Sequence, residues 1–145
     1  MIYTDATKAA MNLCYEAHRE QVDKSGIPYV FHPFHVAEQM GSETAVVVAL
    51  LHDVVEDTNI TLENLRSMGF CEEVLTALAL LTRKKGVPYM DYIAAIAGNQ
   101  IARLVKIADL RHNMDVTRLN GVDEKTRQRL MKYQGALEFL MSDGK

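Results

Sequence analysis

The chain has 145 residues, enough to bury a real core in one domain spanning 1–145. It is 48% hydrophobic and 24% charged with a formal net charge of −3, an ordinary soluble composition with no basic footprint for nucleic acid or an anionic membrane. No apolar run approaches the roughly 20 residues of a membrane span, no signal peptide opens the chain, and Cys14 and Cys71 sit among apolar neighbours as reduced core residues. A cytoplasmic protein is expected.

The hydrophobic period is helical nearly throughout, and no stretch alternates like a strand. Thr4 or Asp5 can cap a first helix with Ala6, Ala9, Ala10, Leu13, Cys14 and Ala17 as its stripe. A polar connector, Asp23 to Tyr29, follows with turn chemistry and no period. Pro33 is placed to open a second helix that Gly41 closes, and Ser42 to cap a third. Thr61 caps a short fourth helix with Gly69 past its end. A fifth helix is expected from about Cys71 to Thr82, and a sixth from Tyr89 after the Arg83-Lys84-Lys85-Gly86-Val87-Pro88 break. A seventh runs from about Gln100 to Asn113 and an eighth from about Asp123 to Met141. The expected fold is a compact all-α bundle of about eight helices.

The third helix carries the chemistry. Its apolar run Ala45 to Leu51 reads as buried on every side, yet it ends in His52-Asp53. Burying an imidazole and a carboxylate costs several kcal/mol unless they are paired or bind a metal. Glu56 and Asp57 follow, and on one continuous helix positions 52, 53, 56 and 57 share a sector of about 140°. On the seventh helix, Ala102, Lys106, Asp109 and Asn113 line one stripe. Small residues Ala45 and Ala49 let these helices approach with their polar ends meeting, and His32 from the connector can close the site.

His32, His52, Asp53 and Asp109 form a mixed nitrogen and oxygen set. It suits Mn²⁺, Fe²⁺ or Zn²⁺ and is too nitrogen-rich for a site dedicated to Mg²⁺ or Ca²⁺. Such an ion acidifies water and polarises phosphoryl oxygens. Glu56 and Asp57, one turn on, can orient or deprotonate that water, while Lys106 and Asn113 offer a cation and a polar hand to a phosphate or sugar. His18, His35 and His112 read mainly as structural or surface residues, His35 and His112 with supporting roles beside a ligand as the alternative.

These residues resemble the H…HD…D signature of HD-domain metal-dependent phosphohydrolases. Longer stretches are more specific: Ala17 to Gln21, Lys24 to Pro33, Ala49 to Thr58 and Lys106 to Asp109. They are similar to the hydrolase domain of the alarmone synthetase/hydrolase family and its stand-alone hydrolases. The resemblance implies an HD fold and one Mn²⁺ held by His32, His52, Asp53 and Asp109. It also implies that Glu56 and Asp57 activate water to remove a 3′-diphosphate from a guanosine nucleotide, with Lys24, Ser25 and Asn113 contacting substrate. The partner it implies is a small phosphorylated nucleotide, with no synthetase activity. Other nucleotides or phosphate esters, and a nucleotide-sensing module without turnover, remain open. The family's Arg before the connector Lys is Asp23 here. Because Asp offers no stacking plane, weak base selectivity is expected, and Asp23→Arg is expected to lower KM for guanosine substrates.

Overall fold

A computed structural model describes residues 1–142. In chain order the helices are α1 Asp5–His18, α2 Phe31–Glu38, α3 Glu43–Leu51, α4 Val54–Asp57, α5 Leu62–Ser67, α6 Glu72–Leu81, α7 Tyr89–Ala97, α8 Gln100–Asn113 and α9 Glu124–Ser142. A 3₁₀ turn, Val116–Arg118, lies between α8 and α9. Among the described residues there is no β-strand; one isolated antiparallel bridge, Val22 to Pro28, pins the connector. No helix is long and apolar enough to cross a membrane.

Short polar residues start the helices where the chain would otherwise leave amides bare. Thr4 caps α1 in a reciprocal box with Thr7, Thr61 caps α5 in one with Asn64, Ser42 accepts from the Ala45 amide and Asn99 from that of Ala102. Gly69 ends α5 at φ +96, a backbone region that a side chain disfavours. Helix α3 forms the centre, with every residue from Ala45 to Leu51 buried, and α1, α2, α6 and α8 pack around it. That explains its lack of a polar face: there is no solvent side to which one could turn.

The continuous third helix expected from the sequence is broken. Helix α3 stops at Leu51, and α4 starts afresh at Val54 after Asp53 takes φ −103 and ψ −4. The Ala49 carbonyl, which a continuing helix would give to the Asp53 amide, instead faces His52 Nδ1. The Asp57 amide then bonds the Asp53 carbonyl at 2.9 Å and Thr58 Oγ1 donates to Val54. This break raises the count to nine α-helices among the described residues. His32 likewise lies in the first turn of α2, ahead of Pro33, rather than in the connector.

Cys71 is exposed at the start of α6, contrary to the core position expected for it. Cys14 is buried, and burial, with the charge of Asp53 adding to it, pushes its thiol up to about 12. A thiol reagent at neutral pH should therefore label Cys71 alone in the folded protein and both cysteines after unfolding. Mass spectrometry of the labelled chain checks this; prompt native labelling of Cys14 would contradict the packing of α1 on α3.

Candidate metal centre and nucleotide cavity

The crossing of α2, α3 and α8 gathers the expected ligands. His32 is 3% exposed, His52 4% and Asp109 5%, although each is polar. One donor atom from each lies within 4.8 Å of the others, so these three can hold a metal ion. His32 Nε2 is 2.7 Å from Asp109 Oδ1, while His52 Nε2 is 3.4 Å from the same oxygen. Asp53 Oδ2 completes the cluster at 3.1 Å from His52 Nε2 and 4.0 Å from His32 Nε2.

Every one of these side chains is gripped from behind. The His52 ring is fixed through Nδ1 by the Ala49 carbonyl, which leaves Nε2 facing the cluster. Buried and lacking a hydrogen-bond partner, that nitrogen has the character of a donor awaiting a cation. Tyr29 donates to Asp53 from the connector. Asp109 Oδ2 accepts from Lys106 at 2.9 Å, and Asn113 Nδ2 donates to Oδ1 at 3.1 Å. His32 Nδ1 meets His112 Nδ1 at 2.7 Å.

Charge follows this packing. Burial opposes ionisation of both carboxyls. Even so, the His52 imidazole holds Asp53 down to about 2, and Lys106 with the imidazoles holds Asp109 well below the usual carboxylate range. Burial disfavours the cationic form of His52 too, but Asp53 and Asp109 pull it well above its ordinary value. His112 goes the other way, down to about 4, because burial, Arg118 and the neighbouring imidazoles all disfavour its charge.

Glu56 and Asp57 stand at the exposed rim on α4. Partial desolvation and then the charge of Asp53 raise both carboxyls above their ordinary values, and the charge of Asp57 raises Glu56 further. That direction suits a group that accepts a proton near neutrality.

Next to the ligands lies a cavity of about 450 Å³. Lys24, Ser25 and Asn113 line it together with Arg118, Arg129 and Tyr133. Asn113 and Tyr29 belong both to its wall and to the grip on the metal ligands, so the cavity and the cluster are contiguous. Lys24 is held below its ordinary value by partial desolvation and by the nearby cations Arg129 and Lys125, so this wall attracts anions.

Two expectations change here. Lys106 does not stand free for a phosphate; its ammonium, on a side chain only 13% exposed, is committed to Asp109 and lies 5.3 Å from the centre of the Tyr92 ring. Asp23 is likewise committed to the architecture. Its Oδ1 accepts from the amides of Ser25 and Ile27 at 2.8 and 3.0 Å, and its Oδ2 pairs with Arg118 at 3.6 Å. The sequence does not single out Tyr29, Arg118 or Arg129; the partners of Tyr29 and Arg118 are remote in sequence. Tyr29, three residues before His32, was the one within reach of a spacing argument.

The expected benefit of Asp23→Arg is therefore reversed. That change removes two loop caps and sets a second guanidinium against Arg118. Stability should fall by about 1.5–3 kcal/mol, the worth of hydrogen bonds to a charged group, and KM for a guanosine substrate should rise. Urea melts and initial rates test this; a variant with unchanged stability and lowered KM would contradict it.

Similar proteins agree with this architecture. A pyrophosphohydrolase of Xenopus tropicalis, guanosine-3′,5′-bis(diphosphate) 3′-pyrophosphohydrolase MESH1, is 34% identical over 137 residues, covering 86% of this chain and 76% of that protein. The chain belongs to the guanosine-3′,5′-bis(diphosphate) 3′-pyrophosphohydrolase family. It is thus a member of a phosphohydrolase family, as its motifs implied. A probable GTP pyrophosphokinase of Mycobacterium leprae is 34% identical over 132 residues, and a GTP pyrophosphokinase of Myxococcus xanthus 33% over 144. The match covers 82% and 87% of this chain but only 17% and 19% of those longer proteins. The solved structure of a metazoan ortholog of SpoT that hydrolyzes ppGpp superposes with a TM-score of 0.76 at 22% identity, over 97% of this chain and 88% of that one, and shows the shared all-α fold. No family model matches the chain.

Proposed function

We propose that the protein is a metal-dependent phosphohydrolase that removes the 3′-diphosphate from guanosine tetra- or pentaphosphate. The observation that carries this reading is the convergence of His52 Nε2, His32 Nε2, Asp53 and Asp109 on one point beside a cation-lined cavity. The relatives of X. tropicalis and M. leprae support the guanosine nucleotide class by their names. These four residues would hold one ion; two imidazoles with two carboxylates suit Mn²⁺, Fe²⁺ or Zn²⁺, and the family resemblance is what selects Mn²⁺. When bound, the ion supplies Lewis-acid polarisation of phosphoryl oxygens and acidifies water beside it.

The protein's own groups do the rest. Lys24, Ser25 and Asn113 bind and orient the nucleotide, with Arg118 and Arg129 adding positive charge to the cavity wall. Lys106 holds Asp109 in place. Glu56 takes the proton from a water that adds to the phosphorus on the ribose 3′-oxygen, and Asp57 orients that water. The bond from phosphorus to the 3′-oxygen breaks, that oxygen takes up, by way of solvent, the proton that Glu56 removed from the water, and diphosphate departs. A small phosphorylated nucleotide as substrate supports a cytoplasmic location.

A substrate panel tests the reading. Metal-stripped protein, with and without added Mn²⁺, is offered guanosine and adenosine 3′,5′-bis(diphosphates) and GDP. Turnover of the guanosine bis(diphosphate) with Mn²⁺, and inertness of GDP, is the expected result. Binding of the nucleotide without turnover under every metal would instead make this a sensing module.

A further inference from the structure

The His32–His112 contact imposes a proton arrangement on the candidate metal centre. An imidazole offering Nε2 to a cation must carry its ring proton on Nδ1. His32 Nδ1 is 2.7 Å from His112 Nδ1, and two ring nitrogens can bond only if one donates and the other accepts. His32 therefore donates, and His112 Nδ1 is left with its lone pair and its proton on Nε2.

This arrangement is built rather than incidental. The two rings lie nearly parallel, 8° apart with centroids at 5.0 Å. His35 stacks on the face of His112 at 4.0 Å and 22°. Arg118 Nη1 donates to the His112 carbonyl at 2.7 Å, and Asp23 holds Arg118 in turn. His112 lies one helical turn beyond Asp109 on α8, so a single helix face supplies a candidate ligand and the acceptor that orients another. His52 needs no such help, since the Ala49 carbonyl of its own helix meets its Nδ1.

We propose that His112 is the positioning residue of His32: by accepting the Nδ1–H bond it fixes the tautomer and ring angle of that ligand, and with them the affinity of the site for a divalent cation. The proposal rests on the metal reading above. Partners of metal-bound imidazoles typically change metal affinity about 10–100-fold when removed.

Two variants separate the hydrogen bond from the stacking. His112→Phe keeps an aromatic ring stacked on His35 but has no acceptor for His32. His112→Asn loses the ring yet can place Oδ1 where Nδ1 stood. Mn²⁺ affinity is measured by competition with a chelator, folding by melting of the metal-free proteins, and the hydrogen bonding of the His32 Nδ1–H by ¹⁵N NMR of the Zn²⁺-loaded proteins. The expected result is an affinity about 10–100-fold weaker for His112→Phe with an unbonded, rapidly exchanging His32 Nδ1–H, and near wild-type affinity with a bonded Nδ1–H for His112→Asn. A folded Phe variant that binds Mn²⁺ as tightly as wild type overturns the proposal, as does an Asn variant with no affinity left. Should the Phe variant not fold, the Asn variant alone decides. A wild-type protein that binds no divalent cation overturns the metal reading itself and this proposal with it.

Discussion

Asp109→Ala should abolish metal binding and destabilise the metal-free fold by about 3–5 kcal/mol, the usual consequence of removing one partner from a buried ion pair. Asp109 accepts from Lys106 and Asn113 at once and lies 2.7 Å from His32 Nε2. Its loss strands the Lys106 ammonium on α8 with the Tyr92 ring as its remaining neighbour, and that ring cannot neutralise a buried charge. It also leaves His32 and His52 facing each other without the anion between them. Urea denaturation of the metal-free variant, with metal content measured separately, checks both halves. The wild-type melting temperature should rise with Mn²⁺ concentration, because an ion bound only by the folded state stabilises it by mass action. The variant should show no such rise. Unchanged metal content together with unchanged stability would rule out Asp109 as ligand and as counter-charge.

Glu56→Gln should leave metal content and fold intact but lower turnover by about 10²–10⁴-fold, the typical worth of a general base. The amide keeps the shape of the side chain and cannot take a proton. Glu56 is exposed on the one-turn helix α4 and has no structural hydrogen bond to lose, so stability should stay close to wild type. Partial desolvation and the charges of Asp53 and Asp57 raise its carboxyl, which strengthens it as a base relative to an ordinary surface glutamate. A variant with full metal occupancy and near wild-type kcat would show that Glu56 is not the base.

Which features were readable in advance follows from the range of the forces involved. Caps and periods are local, so Thr4, Ser42, Thr61 and the limits of α8 at Gln100 and Asn113 follow directly from the sequence. The polar doublet His52-Asp53 stands out because an otherwise apolar run cannot bury it unpartnered. The helix break at that same doublet was not readable, since it depends on the His52 ring taking the Ala49 carbonyl. Lys106 looked like a free cation because spacing puts it on the active stripe, yet that spacing also lets it reach Asp109 one turn on. Asp23 with Arg118, Tyr29 with Asp53 and His32 with His112 are contacts between distant segments. No local period encodes such pairs. They determine which groups are committed to the architecture and which remain available to a substrate.

Product analysis tests the central claim most directly. Chelator-stripped protein is incubated with guanosine 3′,5′-bis(diphosphate), with and without Mn²⁺, and the products are resolved by anion exchange and ³¹P NMR. Equal amounts of GDP and pyrophosphate, formed only when Mn²⁺ is present, are the predicted result. Inorganic phosphate in place of pyrophosphate, or equal turnover in the absence of any divalent cation, would contradict it.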